Sequence, residues 1–138
     1  MFKERLLERV FNLDNDPQYR LDSVTADEQI KSVMNYIQNI LSTKQGSAVI
    51  SFDFGIPDVT NFHDKSYGEY INEMENSLEN SILKFEPRLS SVQVKYNSKK
   101  ENKSVTMHFE IEAEFANLNT PIVFETTINP DGKVAIHE

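Results

Sequence analysis

From Val105 to Phe115 the chain alternates without a break. Val105, Met107, Phe109, Ile111, Ala113 and Phe115 stand on one side, and Thr106, His108, Glu110, Glu112 and Glu114 on the other. A period of two places successive side chains on opposite faces of a strand, so this segment predicts a strand of eleven residues, roughly 35 Å long, with one dry face and one wet face. Such a strand belongs in an antiparallel sheet covered on one side only. The rest of the chain must supply neighbouring strands and a cover.

Both are visible. Val92, Val94 and Tyr96 alternate with Gln93 and Lys95 before a polar run from Asn97 to Lys103, which predicts a hairpin. Downstream, Ile122, Phe124, Thr126 and Ile128 predict a third strand, and Asn129-Pro130-Asp131-Gly132 turns the chain into Lys133-Val134-Ala135-Ile136. The cover comes from two helical stripes upstream. Thr25-Ala26-Asp27-Glu28 and Ser66-Tyr67-Gly68-Glu69 each have the form of a capping box. Behind the first, Ile30, Val33, Met34, Ile37, Ile40 and Leu41 recur at steps of three and four; behind the second, Tyr67, Ile71, Met74, Leu78, Ile82 and Phe85 do the same. Lys44 and Gly46 suit the end of the first helix, which is expected over 25–46, the second over 66–85 and the sheet over 90–137. Helices first and a meander last predict an α+β fold: two long helices on one face of an antiparallel sheet of three to four strands.

Phe2, Leu6, Leu7, Val10 and Phe11 predict a short amphipathic helix ahead of this unit, with Lys3, Glu4, Arg5, Glu8 and Arg9 on its other side. Asp14 to Arg20, with Pro17, detaches it from the rest of the chain. Residues 1–20 are therefore either a helix folded back on the core or an arm that docks on a partner. If the strands keep their sequential order, the first and last lie at sheet edges, and an uncovered edge is a template for another chain's strand. The arm over one edge is the alternative.

At 138 residues the chain is expected to form one domain. Its 22 acidic against 14 basic side chains, for a net charge of −8, disfavour a nucleic-acid partner, which needs clustered lysine and arginine. Without cysteine there is neither a disulfide framework nor a thiolate metal site. Charges interrupt Met1 to Leu7 before a signal core or membrane span could form, so cytoplasmic residence without membrane insertion is expected. His63, His108 and His137 fall in a loop, on a wet strand face and at the penultimate position, with no closely spaced pair, and no metal or cofactor is expected. There is no G-x-S-x-G elbow and no G-x-x-x-x-G-K loop. The glutamates of the second helix and of the long strand read as solvated faces.

Between the second helix and the sheet stands Glu86-Pro87-Arg88-Leu89. Proline fixes its own φ and pushes the preceding residue out of the helical region, so a carboxylate and a guanidinium are expected to be held at a rigid corner suited to docking. Tying helix to sheet within one molecule is the plainer alternative. Glu86 could also serve as the acid of a muramidase, with Asp53, Asp58 or Asp64 as its partner at the separations glycoside hydrolysis requires. Arg88 beside it supplies a fixed positive charge, the opposite of the apolar setting a general acid needs. No catalytic residue is assigned on this basis.

Four segments in order carry a family resemblance. Phe2-Lys3-Glu4-Arg5-Leu6 resembles an F-x-E-R-L arm and Leu41-Ser42-Thr43-Lys44-Gln45-Gly46 an L-x-T-[RK]-x-G helix end; Phe54-Gly55-Ile56-Pro57-Asp58 resembles a Y-G-[LI]-P-D turn, and Glu86-Pro87-Arg88 an E-P-R motif. Together they resemble the tail-lysozyme-like (GPW) family of phage baseplate wedge proteins, and within it the TssE group of type VI secretion systems. Phe54 departs from the tyrosine common there. The resemblance implies a nonenzymatic baseplate subunit at the cytoplasmic side of a membrane-anchored machine, with wedge scaffold proteins and contractile sheath subunits as partners. It implies that Glu86, Pro87 and Arg88, with Phe2, Arg5 and Leu6 of the arm, dock on the wedge, that Gly46, Gly55, Pro57 and Asp58 shape the loop, and that a sheet edge receives the first sheath ring. A fused lytic domain of the kind some members carry is not expected.

Overall fold

Thr25 and Ser66 start the two long helices. Each has extended backbone, accepts from the N–H of the glutamate three residues on, and has its own N–H taken by that glutamate's carboxylate. In the computed structural model, which describes residues 4–15, 24–49, 51, 54–56, 66–98, 106–118 and 120–138, they open α2 (Ala26–Leu41) and α3 (Tyr67–Phe85). A shorter helix, α1 (Leu6–Asn15), precedes them. The strands β1 (Leu89–Tyr96), β2 (Met107–Phe115), β3 (Pro121–Ile128) and β4 (Val134–His137) form one antiparallel sheet in sequential order. The α+β meander is as expected from the sequence.

The alternation decides the faces. Met107, Phe109, Ile111, Ala113 and Phe115 of β2 are buried, while Glu110, Glu112 and Glu114 are exposed, with Lys95 directly opposite Glu110. α3 lies along β1, and α2 packs between α3 and β4. Ile37, Ile40 and Leu41 of α2 and Met74, Leu78 and Ile82 of α3 are fully covered, and at about 1.5–3 kcal/mol for each such side chain this single core is the main gross driving force. A pair of side-chain amides adds register: buried Gln29 of α2 and Asn117, just beyond β2, each donate to the other at 3.0 and 3.2 Å.

The first long helix stops before the sequence suggested. Ser42 caps it, and Gly46 has the left-handed φ of 85° in a turn four residues later. The chain leaves the helix early because Lys44 is needed in a parallel bridge with Ile56, where the Gln45 N–H donates to the Ile56 carbonyl and the Ile56 N–H to that of Thr43, both at 2.9 Å.

A side chain of a helix reaches the backbone of each sheet edge. On β1 the Tyr96 N–H donates to the Glu75 carboxylate of α3 at 2.7 Å. On β4, Gln38 of α2 donates to the Val134 carbonyl at 3.4 Å. Asn129 and Lys133 bond across the β3–β4 turn, so Thr127↔Ala135 and Glu125↔His137 are the bonded pairs, and the N–H and C=O of Ile136 point away from β3.

Inside the sheet, the fully buried Thr126 lies between Phe109 and Ile136, and its hydroxyl has no hydrogen-bond partner. A buried hydroxyl without a partner costs on the order of 1–3 kcal/mol. Thr126→Val keeps the branched shape and removes the orphan, so it is expected to stabilise the chain by about 1 kcal/mol in urea unfolding; a destabilised variant would show that the hydroxyl is satisfied.

Candidate functional site

α3 ends where Pro87 makes it end. Glu86 has φ −114° and ψ 88°, outside the helical region, and its N–H still closes the last helical bond to Ile82 at 2.9 Å. The Leu89 N–H donates to the Glu86 carbonyl at 3.3 Å, forming a four-residue turn with proline in the second position, and Ser90 then bulges out of the β1–β2 pairing. Of the four residues of the turn, Pro87 alone faces solvent. The side chains of Glu86 and Arg88 turn inward and are 0% and 4% exposed.

There they chelate one another. Oε1 of Glu86 accepts from the Arg88 backbone N–H at 3.1 Å and from Nε at 2.7 Å, and Oε2 accepts from Nη2 at 2.7 Å. Nη1 donates to Ser32 Oγ of α2 at 2.6 Å, and the Ser32 hydroxyl donates to the Glu8 carboxylate of α1. The Arg88 carbonyl accepts from the Ala116 N–H at 3.0 Å, which ties the corner to the end of β2. One chain of charge-assisted bonds thus runs from the α3–β1 corner through α2 to α1. Ser32 and Glu8 were not singled out from the sequence; a serine beside Val33 at the border of an apolar stripe was the available signal.

α1 sits on this chain the wrong way round for a helix folded onto a core. The half-buried residues of α1 are Glu8, Arg9 and Asn12, preceded by half-buried Glu4 and Arg5, whereas Leu6, Leu7, Val10, Phe11 and Leu13 are 50–80% exposed. Polar contacts hold it. The Arg5 guanidinium lies 3.4 Å over the Tyr36 ring, the Arg5 N–H donates to Glu8 at 2.9 Å, and Asn12 donates to Glu4 at 3.0 Å. Burial pushes the Glu4 carboxyl above its ordinary range, and Glu8 and Glu28 push the same way against the Asn12 bond. Between α1 and α2 runs a cleft of about 520 Å³, with Leu7 and Phe11 on one wall, Glu28, Lys31 and Asn35 on the other, and Ser32 and Glu8 also lining it. Phe2 of the expected arm lies outside the described residues; Arg5 and Leu6 are inward and outward, respectively.

The loop before α3 packs down in part. Ile56 is buried, Phe54 meets Phe85 edge-on at 4.9 Å, and Ser81 of α3 donates to the Gly55 carbonyl at 2.9 Å. Gly55 has φ 102°, and a Cβ there would lie 2.0 Å from the Thr43 carbonyl oxygen, so only glycine fits. Pro57 and Asp58 lie outside the described residues, as do His63 and the aspartates considered beside Glu86. His108 and His137 lie on or at the end of strands, opposite Thr127 and Glu125. Among the described residues no group of three or more histidine, aspartate or glutamate side chains is arranged to hold a metal, and no helix is long and apolar enough to cross a membrane.

The model of the family described as baseplate wedge protein gp25 matches residues 27–120, more than half of the chain, running from within α2 through the corner and past β2. The chain belongs to the gp25 baseplate wedge family. Two solved structures share the fold of this gp25-family chain. One is a chain of the baseplate complex from the type VI secretion system, 21% identical, with a TM-score of 0.57 over 75% of this chain and 96% of that one. The other is a tail-lysozyme-type protein from Geobacter sulfurreducens, 22% identical, with a TM-score of 0.52 over 77% and 93%. No curated protein sequence is similar enough to match.

Two substitutions probe the site. Arg88→Met strands a buried carboxylate and should cost about 3–5 kcal/mol, whereas Glu86→Leu with Arg88→Met removes both charges and should cost less than Arg88→Met alone, by urea unfolding of both variants. Equal losses would mean that the carboxylate left without Arg88 carries no penalty of its own. Gly55→Ala should lose about 2 kcal/mol or more in the same assay, through the left-handed φ and the contact with Thr43; an unchanged midpoint would remove the close approach.

Proposed function

We propose that this gp25-family chain is a nonenzymatic structural subunit of a contractile injection baseplate of the type VI kind. It works on the cytoplasmic side of a membrane-anchored machine, docking on wedge scaffold proteins through α1 and the Glu86–Arg88 corner and starting the sheath by strand addition. The observation that carries the assembly step is the edge of β4. Its Ile136 N–H and C=O point away from the sheet, in a strand of four residues held from outside only at Val134 among the described residues. Family membership supports the baseplate role.

The corner serves docking as a rigid mount. Arg88 commits its fork to Glu86 and Ser32, so its reach toward a partner is through Pro87 on the surface and through the seat it gives α1. The same geometry weighs against a muramidase role for Glu86: both carboxylate oxygens are engaged by Arg88 and neither is open to a polysaccharide.

The test is a tagged pull-down from the native host under conditions that assemble the machine, with copurifying proteins identified by mass spectrometry. Wedge and sheath subunits are expected with the wild type, and Ile136→Pro, which removes an outward N–H, is expected to lose the sheath subunit and keep the wedge. A bait that recovers neither overturns the baseplate role; sheath recovery unchanged by Ile136→Pro overturns strand addition at this edge.

A further inference from the structure

The sheet has a second face, and no described element lies over it. α2 and α3 take the face that holds Phe109 and Ile111, while Glu110, Glu112 and Glu114 of β2 and Val123 and Glu125 of β3 stand exposed on the other. On an ordinary solvated face opposite charges are set across from one another, because like charges in directly opposed positions destabilise a sheet. The centre of this face departs from that. The register sets Lys95, Glu110, Glu125 and His137 in one row across all four strands, with two carboxylates side by side in its middle. The backbone brings them close. The His108 carbonyl accepts from Asn97 on the β1 side, so Glu110, two residues on, also bonds toward β1; Glu125 bonds toward His137 of β4. Glu110 and Glu125 are therefore a non-bonded pair, with Cα atoms about 4.5 Å apart. Beside them stands Val123, opposite Glu112 and 46% exposed. An apolar side chain next to paired carboxylates matches both parts of an arginine: the methylene stem lies on the valine and the guanidinium forks between two acids. The sign of the face selects the partner further. A nucleic acid would be repelled, and so would a second copy of the chain, itself at −8.

We propose that the open face of the sheet is a docking surface for a partner protein that presents arginine, with one guanidinium seated between Glu110 and Glu125 and its stem on Val123. This surface is separate from the β4 edge, the α3–β1 corner and α1. It goes beyond strand addition: the partner lies flat against the sheet and does not lengthen it, and complementary charge directs the approach.

Three labelled hairpin peptides test it, alike except that the charged positions on one face carry arginine, lysine or citrulline, which keeps the shape of arginine without its charge. They are titrated by fluorescence anisotropy against the full chain. The arginine hairpin is expected to bind one per chain, the lysine hairpin roughly threefold more weakly, and the citrulline hairpin not to bind. Glu110→Gln with Glu125→Gln is expected to weaken the arginine hairpin by roughly tenfold or more. Both side chains are exposed, so this variant should unfold at no lower urea concentration than the wild type. Val123→Ser, which leaves every charge in place, is expected to weaken the same hairpin by roughly threefold. Two controls should leave its binding unchanged: Asp14→Asn with Asp27→Asn, which removes as much charge from exposed helix positions, and Ile136→Pro at the β4 edge. The proposal is overturned if the arginine hairpin fails to bind, if lysine serves equally well, or if the Glu110/Glu125 variant binds as the wild type does. It is equally overturned if the Asp14/Asp27 variant loses as much, which would make net charge the cause, or if Ile136→Pro abolishes binding, which would make the hairpin an added strand.

Discussion

The buried pair of Glu86 and Arg88 is the constraint on which the other parts depend. Two ions in a dry interior are tolerated only where every donor and acceptor is placed, and here the placing is shared among the turn, α2 and β2. Pro87 sets the turn, the turn brings the guanidinium back over its own carboxylate, and Nη1 reaches Ser32. The direction in which β1 leaves α3 is thereby fixed, and with it the register of a sheet that the two long helices must cover. An apolar corner of similar size would have supplied burial without direction.

Much of this was legible in the sequence, for reasons that are local. A capping box is made within four residues, so Thr25 with Glu28 and Ser66 with Glu69 announced both helix starts. Strand alternation is equally local, and the inward set of β2 was read residue by residue. The proximity of Glu86 to Arg88 was legible too. Their burial was not, because it depends on Ser32, 56 residues before Arg88, and no nearby signal records that contact. Gly46 misled for a related reason: its positive φ was real, but the pairing of Lys44 with Ile56 across the loop decided where the helix stopped.

α1 shows the limit most clearly. Periodicity identifies two faces of a helix and is silent on which faces water. The usual inference, that the apolar face turns inward, fails where the body beneath offers a serine hydroxyl, a tyrosine ring and an arginine already paired. The polar stripe then has the better partners. The apolar stripe is left exposed.

The Glu75 carboxylate on the Tyr96 N–H gives the sheet a direction. A strand arriving along β1 must displace an ionised group from a 2.7 Å bond and leave that charge beside an incoming backbone, whereas one arriving along β4 meets a neutral amide at 3.4 Å. The two borders of the meander are unequal in what they charge a newcomer for admission. A strand arriving from outside, another copy of the chain included, is thus discouraged at the β1 border more than at the β4 border.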